Sequence, residues 1–594
     1  SCQPAPSTFW NEVSRVRPSR EREKLRFLRT ILSLGVPRGN DRHGNLSLVW
    51  RRLSAIDDFI GPNLEYDAEI EEERHFWRKR VAVVKNLVCV SVACMLTYGI
   101  YLGLLQMQLI LHYDETYREV KYGNMGLQDI DQKMLMGINV TPVVALLYTP
   151  VLIRFLGTKW LLFLCVGVYA LFVSTNYWER YYTLVPSAIA IGFSIVPLWT
   201  SIGNYITRMA QKYYEYSNYK AIDVQQQKKA PKGAYEKYIV IFHSVFYAIF
   251  SLSLVCAELP MICFLTDYLY PYDHTLYNVK HCGPQMKGCL EGLNKTVLIK
   301  LPRSTSLIIV ESVMMGVAFL SMLLVLMLCG AAYRPTEEID LRSIGWGNIF
   351  QLPFKHLRDF RLRLLIPFFV FSGLEMVFAC TGFALSYGVC SLGLERLSSL
   401  IMVYGLSWSL WSLLSLSLPR RGILVAGGVL HLTLLLTLMV WAPAPRKPTT
   451  GNMVTLHIIA GLWGLGTAFN KSGLSALLGI LYSDKGRQDF IFAVYHWCQS
   501  MAIFGYYLLS NLQMQVKLSI LLICLVISLL SFGWMERKIK RQVPYRIPRI
   551  PKPRHKTKGY RYLEEENSDE EEDGAEEKEM EQDERERLKE KDLK

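Results

Sequence analysis

The chain has 594 residues, of which 51% are hydrophobic, and a formal net charge of +14. Its apolar residues are concentrated in runs of about 18–25, long enough to cross a hydrocarbon layer of about 30 Å, which excludes a soluble multidomain protein and indicates a polytopic membrane protein. Because residues 564–594 contain 17 acidic and 6 basic residues, the rest of the chain carries a large positive excess. The positive-inside rule assigns such an excess to cytosolic loops, so a membrane protein is favoured over a nucleic-acid-binding one.

The first 80 residues are polar and charged, and they end in a basic group just before the first apolar block. Basic residues that abut a span hold that end of the chain in the cytosol. Because no apolar region with a small-residue cleavage site precedes the first span, we expect this span to act as its own insertion signal. We therefore predict that residues 1–80 form a cytosolic, largely disordered N-terminal segment.

Twelve apolar blocks follow, six on each side of a charged stretch at residues 331–363. The predicted spans are 86–111, 134–153, 160–175, 183–206, 238–265, 307–329, 364–390, 397–418, 422–441, 453–481, 490–512 and 518–534. A central charged loop between two six-helix halves is typical of major-facilitator-type transporters. We therefore predict an all-α polytopic membrane protein of twelve transmembrane helices, in two six-helix pseudo-repeat halves (residues 81–330 and 364–534) joined by a central cytosolic loop.

The charges of the connecting loops predict the side of the membrane on which each loop lies. Residues 208–237 hold seven basic and three acidic residues, as expected of a cytosolic loop, whereas residues 114–133 hold five acids and three bases, as expected of a luminal one. Arg446 and Lys447 are an exception, on a predicted luminal turn. We expect both termini to be cytosolic.

The longest predicted luminal loop, residues 266–306, contains two candidate modification sites. Asn294 begins the glycosylation sequon Asn294-Lys295-Thr296. Cys282 and Cys289 share this polar loop, and an oxidising lumen favours a disulfide between them, with two free thiols as the alternative. Most of the other cysteines lie inside apolar spans, where they behave as small hydrophobic residues.

Several ionisable residues lie inside predicted spans, and such residues often mark a transport path. They are Glu258, Glu311, Glu375, His431, His457, Lys471 and His496. A proton-coupled secondary transporter could use the three glutamates. Residues 154–159, however, resemble the signature loop of active facilitators only faintly, because they lack its Asp.

His431 lies in the middle of its span, beside the small residues Gly427 and Gly428, which let helices approach closely. One interpretation is a neutral histidine that makes a single interhelical hydrogen bond, and the other is a functional residue. A permanent charge at a span centre costs about 2.5 to 3.5 kcal/mol on insertion scales. We therefore predict that His431→Arg disturbs the packing of the second half and any partner contact that depends on it.

The predicted cytosolic tail, residues 535–594, has a basic part and an acidic part. Residues 536–558 hold ten Lys and Arg residues, a strip that attracts anionic membrane lipid, whereas the acidic remainder has the composition of a disordered segment. Tyr560 and Leu563 form a Tyr-x-x-hydrophobic tetrapeptide, which adaptor complexes read as an added extended strand. Ser568 precedes three acidic residues, as in sites of acidophilic kinases.

The rest of the chain contains no sequence that resembles a nucleotide loop, a metal cluster or a nucleophile triad. We therefore expect the protein not to be an enzyme and to need no cofactor.

Several long stretches closely resemble the Unc-93 family. They are LTYG at 96–99, HYDETYREVKYG at 112–123, NYWERYY at 176–182, YRPTEEIDLR at 333–342, QDFIF at 488–492 and GYRYLEE at 559–565. The similarity spans about residues 71–570. It implies a facilitator-like twelve-helix fold and, for the branch of the family that these stretches resemble, a chaperone that escorts nucleic-acid-sensing Toll-like receptors from the endoplasmic reticulum to endosomes and lysosomes.

The resemblance also implies roles for individual residues. His431 occupies the family position on which receptor engagement depends, and Asn294 a glycosylation site. Tyr560 and Leu563 match the motif that recruits clathrin adaptor complexes, and Ser568 a phosphorylation site that tunes receptor signalling. Two other functions are expected as alternatives: a proton-coupled transporter of the major facilitator class, and an accessory subunit of an ion channel, as in distant relatives.

Overall fold

The computed structural model describes most of the two predicted helical halves. The described residues are 68–119, 130–177, 180–218, 233–270, 276, 279–287, 294, 296–299, 305–330, 354–417, 420–445, 450–482 and 485–540. The predictions for the N-terminal segment before residue 68, for most of the central loop and for the tail with Tyr560, Leu563 and Ser568 lie outside these residues. The helices described below all belong to one compact unit.

Within the described N-terminal half, six helical segments have the length of a membrane span. Helix α1 is Ala68–Tyr113, α4 is Tyr181–Ser217, α5 is Glu236–Tyr268 with a short interruption at Ser251, and α6 is Thr305–Leu328. Helix α1 begins at Ala68, well before the predicted span 86–111, because the charged residues that precede the span are helical too.

The second and third spans follow each other directly within Ile130–Tyr177. They are separated at Gly157, whose φ of 75° and ψ of 158° are accessible mainly to glycine. This break divides the range into α2 (residues 130–156) and α3 (residues 158–177). The tight turn predicted at residues 154–159 is therefore confirmed.

The described part of the C-terminal half contains a second set of six helices. Helix α7 is Phe360–Leu392, α8 is Leu397–Leu414, α9 is Arg420–Val440, α10 is Thr450–Leu481, α11 is Lys485–Leu508 and α12 is Met514–Lys540. The stretch Phe378–Val389 of α7 is wound as a π-helix. Helix α11 lacks the long apolar stretch found in the other spans, because its sequence includes Gln488, Asp489 and His496.

The described residues contain ten helices that are long and apolar enough to cross a membrane. One of the ten ranges, Ile130–Tyr177, contains both α2 and α3, and α11 adds a further helix with the length of a span. Twelve membrane-length helices are therefore present in this part of the chain. Many of their large apolar side chains face outward, among them Ile309, Val313 and Met327 of α6, which are 57%, 59% and 77% exposed. A lipid environment accommodates such a surface.

The two halves repeat the same packing. In the first half, α1 packs on α5 and α6, α2 and α3 pack on α4, and α3 packs on α6. In the second half, α7 packs on α11 and α12, α8 and α9 pack on α10, and α9 packs on α12. Each pair recurs six helices later, which confirms the predicted all-α fold with two six-helix pseudo-repeat halves. The halves meet where α4 contacts α11 and where α5 contacts α8 and α10.

The described part of the loop between α5 and α6, residues 279–287 and 296–299, is called the strap here. Its second part is fixed to the N-terminal half, because the Ile299 amide donates to the Tyr268 carbonyl at 2.8 Å. The amides of Val297 and Leu298 donate to Asp114 Oδ2 at 2.8 and 3.0 Å. Asp114 follows α1 directly, so these bonds tie the strap to the ends of α1 and α5.

The first part of the strap is attached to the C-terminal half. Cys282 forms a disulfide with Cys390 near the end of α7, with the two Cα atoms 5.7 Å apart. The Met514 amide, at the start of α12, donates to the Met286 carbonyl at 3.0 Å. The strap therefore connects the two halves at one end of the bundle.

The predicted Cys282–Cys289 disulfide is wrong, since Cys282 is bonded to Cys390 instead. Cys289 lies outside the described residues. The prediction paired the two cysteines of one polar loop and counted Cys390 as the last residue of an apolar span. The actual partner is 108 positions away along the chain, and it becomes a neighbour because the strap crosses onto the C-terminal half.

Candidate functional site

The centre of the C-terminal half is a place where α9 and α10 approach closely. A β-carbon added to Gly427 of α9 would lie 3.2 Å from the carbonyl oxygen of Gly466 on α10. A β-carbon at Gly466 would lie 2.5 Å from His431 Nε2. Small residues let two helices approach, and here the space left by Gly466 is filled by the imidazole ring of His431.

His431 meets a buried carboxylate at this place. Its Nε2 lies 3.1 Å from Oε2 of Glu375, and both side chains are completely buried. Asn470 Nδ2 donates to Glu375 Oε1 at 2.6 Å, and the Thr467 hydroxyl lies 3.5 Å from Oε2. The Glu375 carboxylate of α7 is therefore hydrogen-bonded by side chains of α10 and lies beside the His431 ring of α9.

Lys471, the residue after Asn470, supplies a positive charge. Its Nζ donates to the Ser372 carbonyl oxygen at 2.8 Å, which places this charge one turn before Glu375 on α7. Only 6% of Lys471 is exposed. Glu375, His431, Asn470 and Lys471 are together called the polar cluster here.

The polar cluster is enclosed by aromatic rings. The ring centroids of Trp463 and Phe371 lie 4.9 and 5.6 Å from that of His431. A small, mostly apolar cavity that Trp463 and Tyr404 line lies next to the cluster. Away from water, opposite charges attract strongly, but each charge without a partner is costly. The arrangement can therefore fix three helices relative to one another, and its buried side chains are screened from direct contact with a partner protein.

The polar cluster is linked to α11 and, through it, to the N-terminal half. Gln499 Nε2 donates to the Ser372 hydroxyl at 3.0 Å, and Gln499 Oε1 lies 3.1 Å from His496 Nδ1. The His496 ring stacks on Trp199 of α4, with a centroid distance of 5.6 Å. The structure thus brings together Glu375, His431 and Lys471 among the candidates from the sequence, and His496 joins them indirectly.

The remaining ionisable candidates have other surroundings. Glu258 of α5 is buried, with Gln106 Nε2 of α1 at 3.5 Å from its Oε2. His457 of α10 lies 2.7 Å from the Met453 carbonyl oxygen and 3.1 Å from the Ser399 hydroxyl. Glu311 lies half-buried on α6. In the described part of the chain, no group of three or more His, Cys, Asp or Glu side chains could hold a metal ion.

A buried ion pair that was not predicted from the sequence joins the two halves. Arg208 Nη2 of α4 lies 2.8 Å from Asp489 Oδ1 of α11, and Asn204 Nδ2 donates to the same oxygen at 2.7 Å. Arg208 belongs to the predicted cytosolic loop 208–237 and Asp489 precedes the predicted span 490–512, although each lies within a helix. A buried arginine needs a partner, but the sequence offered no signal for this pair because both residues lie next to polar connections.

The glycosylation candidate Asn294 is half-buried in the loop that contains the strap. Its side-chain oxygen lies 3.4 Å from the Thr296 amide nitrogen and 3.3 Å from the Thr296 hydroxyl. The two functional residues of the sequon are therefore close together, and modification of Asn294 stays a prediction.

The repeated packing and the charged interior define an all-α polytopic membrane protein built from two pseudo-repeat halves. A family model described as "Ion channel regulatory protein UNC-93" matches residues 236–533. The chain is 62% identical over 539 residues to mouse "Protein unc-93 homolog B1", covering 90% of this chain and 89% of the mouse protein. The chain belongs to the Unc-93 family.

Other similar proteins include both near and distant relatives. The human "Protein unc-93 homolog B1" is 61% identical over 541 residues, covering 90% of this chain and 88% of its own. The human "Protein unc-93 homolog A" is 26% identical, covering 76% of this chain and 93% of its own. Among solved structures, the human organic anion transporter MFSD10 has a TM-score of 0.49 at 12% identity, covering 76% of this chain and 99% of that one.

Proposed function

We propose that the protein is a membrane chaperone for nucleic-acid-sensing Toll-like receptors. In this proposal it binds the transmembrane and juxtamembrane segments of a receptor and escorts it from the endoplasmic reticulum to endosomes and lysosomes, which supports innate immune signalling. The long stretches shared with the receptor-escorting branch of the Unc-93 family support this function. Membership of the family, at 62% identity over most of the chain, agrees with it.

The observation that carries the proposal is the outer surface of α6. Among the described helices, α6 packs chiefly on α1 and α3, and most of its side chains face the lipid. Ser312 and Gly316 lie on this outer surface, one turn apart. A β-carbon added to Gly316 would meet no atom within 4 Å. Small residues one turn apart let a second helix approach a membrane helix closely, so this surface suits the single span of a receptor.

The connections between the halves also agree with a chaperone. The strap joins them at the end of the bundle where α7 ends, and the Arg208–Asp489 pair joins them near the opposite end, where α11 begins. A docking surface for another protein benefits from a fixed bundle, whereas alternating access requires the halves to move apart at each end in turn.

The tail supplies the trafficking part of the proposal. Tyr560 and Leu563 would bind clathrin adaptor complexes, phosphorylation of Ser568 would tune receptor signalling, and the basic strip before them would contact anionic lipid. Asn294 would carry a glycan on the luminal side. In this proposal both termini lie in the cytosol, where adaptors can reach the motif.

The test is co-purification in mild detergent with a tagged nucleic-acid-sensing Toll-like receptor. The variant Gly316→Leu fills the outer surface of α6 without a clash inside the bundle. We expect it to lower receptor recovery about tenfold, because close packing drives association between membrane helices. Gly533→Leu on α12 is the matched control, since a β-carbon there also meets no atom within 4 Å.

Equal receptor recovery with Gly316→Leu and with wild type would contradict the proposal that the receptor binds the outer surface of α6. The whole function would be overturned if the purified protein moved a solute across vesicle membranes, or changed an ion channel's conductance, while it escorted no receptor in cells. The role of the tail is tested by Tyr560→Ala, which we expect to keep receptor cargo out of endolysosomes.

A further inference from the structure

The side chain of His431 is completely buried, between Glu375, Trp463 and Phe371. It therefore cannot touch a docked receptor, and any effect on receptor binding must pass through the residues that surround it. We propose that Glu375 and Lys471 are the positioning residues through which His431 acts, and that receptor engagement requires a zero net charge in the polar cluster. This inference rests on the proposed chaperone function.

The charges in the polar cluster are balanced when the imidazole is neutral. Glu375 then supplies the one negative charge and Lys471 the one positive charge, and both lie away from water. Removing either partner leaves a buried charge without compensation, which destabilises a structure far more than replacing both partners together. In this inference, the net charge of the polar cluster, more than its number of hydrogen bonds, determines whether α7, α9 and α10 stay packed against one another.

The contacts explain how a charge imbalance would move helices. Helix α10 is tied to α7 at two points, from Asn470 to Glu375 and from Lys471 to the Ser372 carbonyl. Helix α9 joins through His431, which fills the space beside Gly466. Because all three helices meet at one carboxylate, a charge without a partner there shifts α7, α9 and α10 together.

An arginine at position 431 illustrates the consequence. It would place a second cation within reach of Glu375, where it would compete with Lys471 for the same carboxylate. The inference therefore gives a specific result: the defect of His431→Arg should be relieved by removing the first cation. A variant that only fills space at position 431 would show no such dependence on Lys471.

Two sets of variants separate charge from other effects. In the unbalanced set, one charge is added or removed: Glu375→Gln, Lys471→Met and His431→Arg. In the balanced set, the net charge stays at zero: Glu375→Gln/Lys471→Met, His431→Arg/Lys471→Met and His431→Gln. Tyr247→Phe is the matched control, because it removes a buried hydrogen bond to Ser475 of α10, 2.8 Å long, without a change of charge.

The experiment measures the amount of a tagged nucleic-acid-sensing Toll-like receptor recovered per monodisperse full-length bundle in mild detergent. Normalising to the monodisperse fraction separates receptor engagement from general misfolding. We expect recovery to fall about tenfold for each unbalanced variant, since a buried charge without compensation is strongly unfavourable. We expect the balanced variants and Tyr247→Phe to stay within about twofold of wild type.

Recovery in Glu375→Gln/Lys471→Met that is no better than in its single variants would overturn the inference. This double variant adds no bulk. It therefore tests the need for zero net charge even if His431→Arg/Lys471→Met fails to fold for steric reasons. Undiminished recovery per folded bundle in the single variants would also overturn it. Failure of the proposed function would look different, because wild type itself would then recover no receptor.

Discussion

The two halves place different side chains at corresponding positions. In the N-terminal half, α1, α3 and α4 contribute Tyr98, Tyr169 and Trp199. The hydroxyl of Tyr98 accepts hydrogen bonds from the Tyr169 hydroxyl and from Trp199 Nε1. These three residues are called the aromatic cluster. In the C-terminal half, the matching helices α7, α9 and α10 contribute the polar cluster, which is built around Glu375.

The difference shows that one architecture can hold its helices together in two ways. The aromatic cluster is neutral, and its rings add packing area and edge-to-face contacts, such as Tyr98 with Phe250 at 5.4 Å. Losing one of its hydrogen bonds removes a modest amount of stability. The polar cluster depends on a charge balance, so losing one member damages it out of proportion to the atoms removed.

The largest expected effect is that of Lys471→Met. It leaves the Glu375 carboxylate buried without its cation, so we expect the free energy of unfolding to fall by about 3–5 kcal/mol. The measurement is unfolding of the detergent-solubilised protein, followed by tryptophan fluorescence. A change below about 1 kcal/mol would show that the charge pair is not what holds this half.

His431→Arg comes next. We expect it to lower the free energy of unfolding by about 3 kcal/mol, as for a permanent charge at a span centre, while His431→Gln stays close to wild type. The readout is the monodisperse fraction and the unfolding midpoint of each variant. If His431→Arg and His431→Gln were equally destabilising, the loss of the packed imidazole ring and not the added charge would be the cause.

Cys390→Ser tests the covalent link between the halves. We expect a loss of about 2 kcal/mol, at the lower end for disulfides because helices held in a membrane already restrict the unfolded chain. Cys263→Ser is the control, since Cys263 is an exposed free cysteine. Peptide mapping of the wild type without reduction should recover Cys282 joined to Cys390. A Cys282–Cys289 peptide would contradict the structure.

The smallest effect is expected in the aromatic cluster. Tyr98→Phe removes the hydroxyl that accepts two hydrogen bonds and leaves the ring contacts, so we expect a loss of about 1–2 kcal/mol. The same unfolding measurement applies. If this variant were as damaging as Lys471→Met, the contrast between the two halves would fail.

The sequence sufficed to predict the helices, because runs of apolar residues are a local signal. It also singled out Glu375, His431 and Lys471 one by one. Their meeting could not be predicted, since it depends on how α7, α9 and α10 pack. The same limit explains the wrong disulfide partner of Cys282, whose actual partner lies 108 positions away.

The ion pair of Arg208 and Asp489 was missed for a related reason. Both residues lie close to polar connections, where a charge is ordinarily solvated. Only the contact between α4 and α11 shows that they are buried together. The local sequence indicates whether a position is polar or apolar. Which residue it contacts depends on how the helices pack.

The π-helical stretch Phe378–Val389 imposes a length requirement on α7. It lies between Glu375, which is fixed by the polar cluster, and Cys390, which is fixed by the disulfide. Deleting one residue from the stretch would rotate one end relative to the other and bring the two ends closer together. The chain could then satisfy only one of the two attachments. The number of residues in this stretch is therefore constrained, in addition to the burial of its side chains.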